Sequence, residues 1–401
     1  MLEDCWNEDP ELRWEARCMC HRFSNPTTAR VQGMPCVIGA LRPVGFSVQL
    51  DHLQVDDCPK YLAKSLGFAL KEHPIHKQHN LNFEIQKEGV EALLEVFDKV
   101  LEYRPFDPLI SKQFRQLCGR SELVPASYFI SRERISTVGE HPVASGGFGD
   151  VWKGIYEGRH VAIKALRVYK RDDMRKVKRI FYKEVTMWKR FSHPNIVPFL
   201  GVTDAPAPLS MVLQWMSNGD IRHYVRRHLE ADRLQLMLDI CHGLQVLHTH
   251  NVVHGDLKGA NILINNSGWA CLIDFGLSSI ASLSCTESSA HGPCGSFRWT
   301  APELMRITES QHARPTKESD IYALAMVAIE VFTGLIPFES CKADPAVMLK
   351  VINGERPARP TEAAKLGLTD DLWDLIQSAW AQDAQHRPPV ETIIDFLLRV
   401  T

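Results

Sequence analysis

The chain has 401 residues, a length sufficient for about two or three domains. Of these residues 45% are hydrophobic and 23% charged, which is ordinary for a globular protein. Its 46 basic and 48 acidic residues leave a net charge of −2, which does not favour a nucleic-acid partner or an anionic membrane surface. The longest apolar run, 321–336, carries Glu330 and is too short to favour membrane insertion, so we expect a buried core helix there. Eleven cysteines without regular spacing favour a reducing compartment, and we expect the cytoplasm.

The N-terminal residues 1–25 contain a short match to the end of the same chain. Trp6, Asp9 and Arg13 recur at one constant offset as the three residues Trp380, Asp383 and Arg387. Two interpretations stay open: a chance match, or a remnant of the C-terminal end of a second copy of the last domain. The second interpretation would make the chain part of a tandem product.

Residues 26–129 form a region to which we assign no role, with one clear helix predicted over 87–104. Its apolar side chains fall on one helical face: Val90, Leu93, Leu94, Phe97, Val100 and Leu101. Pro105 and Pro108 end this helix, and a second short helix is predicted to end at Gly119.

From residue 134 the pattern changes to short strands separated by glycine-rich turns. Helical spacing returns near 173–191 and dominates after 218. This order predicts an α+β body, in which a small β-rich part is followed by a larger helical part.

The stretch "SGGFGDV" (145–151) is either a plain turn or a loop whose backbone N–H groups approach a phosphate. Lys164 ends the following apolar strand, where an unpaired ammonium would be costly. Glu184 lies in the same helical stripe as Phe181 and Trp188, so we expect it to pair with Lys164. The alternative is a surface helix whose glutamate reaches solvent.

Five motifs in order resemble those of protein kinases: the glycine loop at 144–151, "VAIK" at 161–164, "HGDLKGAN" at 254–261, "DFG" at 274–276 and "APE" at 301–303. The wording of "HGDLKGANIL", "DFGLSS" and "GSFRWTAPE" resembles the tyrosine-kinase-like group, in particular its expanded fungal (basidiomycete) serine/threonine branch. The resemblance implies a bilobal protein-kinase fold, with a small β-rich N-lobe at 130–213, a hinge at 214–219 and a larger helical C-lobe at 220–401. An N-terminal extension, mainly helical or irregular, precedes it.

The same resemblance implies roles for individual residues. Asp256 would accept the substrate hydroxyl proton, and Lys258 would offset charge on the transferring phosphoryl group. Lys164, held by Glu184, would grip the α- and β-phosphates of ATP. Asn261 and Asp274 would hold two Mg²⁺ ions, for which oxygen ligands are suitable. The expected nucleotide contacts are Val143, Gly146, Gly147, Gly149, Val151, Ala162, Lys164, Gln214 and Met216, with Leu213 as gatekeeper.

Lys258 and Ser296 resemble the residues that serine/threonine kinases place beside the acceptor hydroxyl. The resemblance further implies an ion pair between Glu303 and Arg387, and an anchor for the catalytic loop at Asp320. The predicted function is ATP-dependent phosphorylation of Ser or Thr in a protein substrate, in intracellular signalling. The alternative is a pseudokinase that acts as a nucleotide-binding or scaffolding module, although a pseudokinase typically lacks one of the key polar residues that are all present here. The oligomeric state stays open.

Two positions depart from the family pattern. Ala144 replaces the first glycine of the loop, and Gly255 replaces the arginine that pairs with a phosphorylated activation loop in many kinases. We therefore hypothesise that activity does not need phosphorylation of the hydroxyl-rich loop 277–295. The alternative interpretation is that a flexible loop is simply polar.

Overall fold

The computed structural model describes residues 87–146, 149–166, 171–275, 296–305 and 314–400. The predicted remnant at 1–25, Gly147 and the loop 277–295 lie outside the described residues. The chain divides into two compact units, Met1–Leu117 and Cys118–Thr401.

Helix α1, Lys87–Tyr103, belongs to the first unit and confirms the predicted helix. All six residues of its predicted apolar face are buried. Phe97 stacks on Phe114 with 5.7 Å between ring centroids. Asp107 then accepts the N–H groups of Leu109 and Ile110 at 3.1 and 3.0 Å, which caps the next helix.

Helix α2, Pro108–Ser121, crosses from the first unit into the second. The prediction that Gly119 ends this helix is wrong, because the helix continues through it to Ser121. The residue in the left-handed conformation is Glu122 (φ 55°), and its side chain accepts a hydrogen bond from Lys178 at 3.0 Å. The sequence favoured Gly119 as the end of the helix because glycine is the residue that most often takes the left-handed conformation there.

The second unit begins with an antiparallel sheet of order β1-β3-β4-β6-β5, with β2 paired to β3. Its strands are β1 Ile135–Thr137, β2 Ala144–Gly146, β3 Gly149–Tyr156, β4 Arg159–Leu166, β5 Phe199–Thr203 and β6 Ser210–Gln214. Helix α3, Arg171–Trp188, follows β4. Phe191, the last residue of the stretch 173–191 with predicted helical spacing, lies beyond the end of α3 but is buried.

The two faces of this sheet carry different side chains. Val161, Ile163 and Val212 pack with Ile130 and Ile135 in one apolar cluster. Alternate residues of a strand point to opposite faces, and residues paired across strands share a face. The opposite face is therefore shared by Val151, Ala162, Lys164 and Leu213, because Val151 pairs with Lys164 and Ala162 pairs with Leu213.

The segment before β1 is part of this layer. Ile130 donates its N–H to Val202 O at 2.8 Å, and Phe129 forms a parallel bridge with Val202. Tyr128 is buried, and its hydroxyl accepts a hydrogen bond from Arg190 at 2.8 Å. Residues 128–135 thus extend the sheet and its apolar core.

The rest of the second unit is mainly helical, with one short hairpin. The helices are α4 Ile221–Arg227, α5 Arg233–Thr249, α6 Pro302–Met305, α7 Lys317–Thr333, α8 Asp344–Ile352, α9 Asp370–Ala379 and α10 Val390–Val400, and the hairpin strands are β7 Ile262–Ile264 and β8 Ala270–Leu272. Together with the sheet, this arrangement confirms the predicted α+β class, with a β-rich part followed by a helical one.

Helix α7 is the buried core helix that the sequence predicted. Thr316 and Ser319 form a reciprocal capping box at its start, and Gly334, in the left-handed conformation, ends it. Asp320, expected just before the helix, lies in its first turn. In the part of the chain that the structure describes, no helix combines the length and apolar character needed to cross a bilayer.

Candidate active site

Lys164 on β4 meets Asp274 across 110 positions of sequence. Its Nζ donates a hydrogen bond to Asp274 Oδ2, and both side chains are buried. Asp274 has a left-handed backbone (φ 65°), uncommon for a residue other than glycine and often found at functional sites. Among the described residues, no partner reaches the buried Oδ1 of Asp274. That oxygen is therefore a candidate ligand for a cation.

Glu184 lies on the inward face of α3, as the sequence predicted. It is 8% exposed, and its neighbours Phe181 and Trp188 on the same stripe are buried too. Trp188 packs against Phe275, the residue after Asp274, with ring centroids 4.9 Å apart. The alternative of a surface glutamate is therefore wrong, whereas the specific pairing of Glu184 with Lys164 stays a prediction.

The catalytic loop, residues 254–261, gathers three of the predicted polar side chains. Asp256 Oδ2 accepts hydrogen bonds from Lys258 Nζ at 2.7 Å and from Asn261 Nδ2 at 3.0 Å. Asn261 Nδ2 also donates to the backbone oxygen of Asp256 at 2.8 Å. Ile273 donates its N–H to Asn261 O at 3.1 Å, which places the strand leading to Asp274 beside this loop.

Asp320 holds the start of the catalytic loop and confirms its predicted role as an anchor. Its Oδ2 accepts the N–H of His254 at 2.8 Å and its Oδ1 accepts the N–H of Gly255 at 2.9 Å. His248 Nε2 lies 2.9 Å from the same Oδ2. Gly255 has φ 76°, a left-handed backbone that glycine adopts without the steric cost of a Cβ.

His254 is a buried imidazole beside these carboxylates. Burial lowers its pKa, although Asp320, Asp256 and Asp274 act in the opposite direction. Its Nδ1 accepts the N–H of Asp256 at 3.3 Å, so the neutral ring carries its proton on Nε2. His254 is therefore a neutral structural group at physiological pH and supports the Asp256 backbone.

The substrate-side segment, residues 296–300, joins the catalytic loop through Ser296. Lys258 Nζ donates to Ser296 Oγ at 2.8 Å. Two residues further on, Arg298 is buried, pairs with Asp344 at 3.0 Å and donates to Pro337 O at 2.9 Å. These bonds fix the segment from both of its sides.

The predicted pair of Glu303 and Arg387 is confirmed. Arg387 Nη1 and Nη2 donate to the two carboxylate oxygens of Glu303 at 2.6 and 2.7 Å. This bidentate geometry is the strong form of an arginine–carboxylate contact. It connects α6, just after the substrate-side segment, to the C-terminal part of the chain.

Glu330 is a site residue whose contacts sequence reasoning missed. It is fully buried in α7 and accepts hydrogen bonds from Gly259 N at 2.7 Å and Trp299 Nε1 at 2.8 Å. Burial raises its pKa to about 7. The sequence signal for these contacts was the single acid in an apolar helical run. A carboxyl group buried in an interior helix needs hydrogen-bond donors from neighbouring segments.

The residues expected to contact a nucleotide lie along one sheet face and its borders. Val151, Ala162 and Lys164 share that face, and Gly146 pairs with Gly149 next to it. Val143 donates its N–H to Val151 O at 2.8 Å.

The predicted hinge residues are held by backbone bonds. Gln214 donates its N–H to Pro198 O at 3.1 Å, and Gly219 donates its N–H to Met216 O at 3.4 Å. Their roles toward a nucleotide stay predictions.

Comparison with known families agrees with this arrangement. A sequence model of the family "protein tyrosine and serine/threonine kinase" matches residues 138–397. The chain belongs to the protein kinase family. The predicted bilobal kinase fold is confirmed, and residues 128–135, which extend the N-lobe sheet, precede the matched range.

Curated kinases resemble the chain over the same region. Serine/threonine/tyrosine-protein kinase HT1 of Arabidopsis thaliana is 32% identical over 261 residues, covering 63% of this chain and 64% of the relative. Serine/threonine-protein kinase STY46 of the same plant is 29% identical over 264 residues, covering 65% and 43%. The probable serine/threonine-protein kinase drkD of Dictyostelium discoideum is 31% identical over 263 residues, covering 64% and 19%.

These relatives confirm the tyrosine-kinase-like group, whereas the likeness to its fungal branch stays a prediction. The chain spans less than two thirds of the length of these relatives. The proposed limits of the N-lobe, hinge and C-lobe also stay predictions.

Proposed function

We propose that this chain is an ATP-dependent protein serine/threonine kinase that acts in intracellular signalling in the cytoplasm. The observation that carries the proposal is the hydrogen-bonded group of Asp256, Lys258 and Asn261 beside the buried Lys164–Asp274 pair. Catalysis of phosphoryl transfer depends mainly on the positioning of the reactants and on the stabilisation of charge at the phosphoryl group, and these side chains can supply both. Cys241, Cys271 and Cys341 are thiols that form no disulfide, which suits a reducing compartment.

Asp256 is the proposed base toward the acceptor hydroxyl. Lys258 and Asn261 donate to its Oδ2 and so hold the carboxylate in one orientation. Lys258 also bonds to Ser296, so its ammonium lies between Asp256 and the substrate-side segment. A serine or threonine hydroxyl delivered at this segment would give its proton to Asp256, while Lys258 offsets charge on the phosphoryl group.

The residues present fit magnesium. Asp274 Oδ1 is a buried oxygen that no described residue bonds, and oxygen ligands are those that Mg²⁺ prefers. Both hydrogen bonds that the Asn261 side chain makes to Asp256 use Nδ2, which leaves its amide oxygen as the proposed ligand atom. We propose that Asp274 and Asn261 hold two Mg²⁺ ions, which when bound neutralise charge on the nucleotide phosphates.

ATP is the proposed phosphate donor. Lys164 is the cation for its α- and β-phosphates, with Glu184 on the adjacent helix as its second proposed partner. Val151 and Ala162 share the sheet face of Lys164 and would contact the base. Because the Gln214 N–H is bonded to Pro198 O, its carbonyl is the group proposed to accept from the adenine, with Met216 beside it. Val143, Gly146, Gly147 and Gly149 would cover the phosphates.

Phosphotransfer from labelled ATP to a generic basic protein, followed by phosphoamino-acid analysis, tests the proposal. We expect phosphoserine or phosphothreonine, and Asp256→Asn should lower the rate about 10²–10⁴-fold while nucleotide binding persists. Asp374→Asn, on the exposed side of α9, is the matched control and should match the wild type. A wild-type chain that binds Mg-ATP without transfer, or an Asp256→Asn variant as active as the control, would overturn the proposal.

A further inference from the structure

Glu330 joins three separate segments of the second unit around one buried carboxylate. Its Oε2 accepts both the N–H of Gly259, in the catalytic loop, and the Nε1–H of Trp299, in the substrate-side segment. Its Oε1 lies 3.4 Å from Nε of Arg222 on α4. Nothing in the proposed phosphotransfer roles uses this side chain.

Along the chain, the contact lies close to two of the proposed active-site groups, Lys258 and Ser296. Gly259 follows Lys258 in the catalytic loop, and Trp299 comes three residues after Ser296 in the substrate-side segment. These two segments are therefore linked at two neighbouring places. One link is the bond of Lys258 to Ser296, and the other is the shared oxygen of Glu330. A Cβ added to Gly259 would lie 2.7 Å from Glu330 Oε1, so the loop passes against the carboxylate with no side chain between them.

If Glu330 served only the stability of the fold, a buried carboxylate would be an unfavourable choice at this position. Burying an acid carries a desolvation penalty, and an apolar side chain of similar volume often fills such a space at equal or better stability. What the carboxylate adds is a pair of directed bonds that fix the spacing between two segments. Because both donors converge on one oxygen, they fix its position relative to the two segments, which suits a spacer.

We propose that Glu330 is a positioning residue for phosphotransfer, which sets the catalytic loop and the substrate-side segment at one fixed distance. It acts through Gly259 and Trp299 and thereby fixes Lys258 against Ser296. The inference rests on the proposed kinase function and adds to it a residue that contacts neither nucleotide nor substrate.

Four variants separate the acceptor bonds from charge and volume. Glu330→Leu removes both acceptor oxygens at similar volume, whereas Glu330→Gln keeps one oxygen that can accept from both donors. Trp299→Phe removes a single donor. Trp373→Phe is the matched control, because Trp373 of α9 packs on Trp380, the residue after that helix, with ring centroids 5.4 Å apart.

We expect Glu330→Leu to lower kcat/KM for a protein substrate about 100-fold, because a misplacement of about 1 Å has an effect of that size. Trp299→Phe should lower it about 10-fold through the loss of one hydrogen bond to the buried Glu330 side chain. Glu330→Gln and Trp373→Phe should stay within about threefold of the wild type, and KM for ATP should change less than about twofold in all four. A general loss of structure would instead lower nucleotide binding as well.

Indole N–H signals give a second readout that does not need activity. The ¹⁵N-labelled chain has nine tryptophans, and the signal lost in Trp299→Phe assigns the one of interest. The chemical shift of that signal should change in Glu330→Leu and change less in Glu330→Gln, while the chemical shifts of the other indole signals stay the same.

Two results would overturn the inference: wild-type kcat/KM in Trp299→Phe, or a Glu330→Gln variant as impaired as Glu330→Leu. If Glu330→Leu does not fold, Trp299→Phe and Glu330→Gln still decide the outcome. A wild-type chain without phosphotransfer overturns the proposed function, whereas an active wild type with an unimpaired Trp299→Phe overturns the role of Glu330 alone.

Discussion

Lys258 donates a hydrogen bond to Ser296 across 38 positions of sequence, at 2.8 Å between Nζ and Oγ. The same ammonium donates to Asp256 Oδ2 at 2.7 Å. Lys258 is therefore held between the proposed base and the segment at which an acceptor would arrive. The position of this one cation depends on a hydroxyl group that the substrate-side segment supplies.

Removal of that hydroxyl should slow phosphotransfer. We expect Ser296→Ala to lower kcat about 10-fold, because a hydrogen bond to a charged group is lost, and Ser296→Thr to stay within about threefold of the wild type. Steady-state kinetics with a protein substrate measures both. Ser378→Ala, which removes a hydroxyl bonded to Leu375 O in α9, should match the wild type. Equal activity of the Ala and Thr variants at position 296 would contradict this role of the hydroxyl.

The Glu303–Arg387 pair should contribute strongly to stability. Arg387→Ala removes a buried guanidinium and leaves the partly exposed Glu303 without its bidentate partner, so it should lower the free energy of unfolding by about 2–3 kcal/mol, measured by denaturant titration. The control is Lys365→Ala, which breaks the exposed pair with Glu362 and should leave stability unchanged within error. A loss no larger than that of the control would show that the pair is not stabilising.

Glu330 should make stability depend on pH. Burial raises its pKa from the ordinary 4.5 to about 7, so the folded state binds a proton that the unfolded state has released. The stability associated with the protonated carboxyl is fully present below about 4.5 and is lost as the pH rises through about 7.

Stability of the wild type should therefore fall relative to Glu330→Gln between about pH 5 and pH 8, by on the order of 2 kcal/mol. Denaturant titrations of both chains across this range measure the difference. Parallel profiles would contradict the prediction, since the neutral amide cannot titrate.

The segment before β1 should be required for a stable N-lobe. Ile130 and Ile135 lie in the apolar cluster of the sheet, so Ile130→Ala should lower the free energy of unfolding by about 2–4 kcal/mol. Val138→Ala, at an exposed site, is the control. A chain that starts at Ile135, which keeps β1 but lacks Ile130, should also melt at a lower temperature than one that starts at Cys118. Equal melting temperatures would show that this segment is dispensable.

Much of the fold could be predicted from neighbouring residues. The apolar stripe of α1, the buried run of α7 and the glycine-separated strands are local patterns, and they specify each element through short-range periodicity. Asp256, Lys258 and Asn261 lie within one short loop, so their mutual contacts follow from that loop's conformation. The end of α2 was mispredicted because Glu122 adopts the conformation that glycine usually takes.

Local patterns in the sequence were enough to predict the order of the elements, the polar groups of the catalytic loop and the acid on α3. The contact of Lys164 with Asp274, and the bonds of Glu330 to both Gly259 and Trp299, became visible only in the folded chain. Helix and strand patterns can be predicted because they depend on residues a few positions apart. The partner of a buried charge depends on which distant segments pack around it, and that follows from the balance of burial, hydrogen bonding and shape over the whole unit.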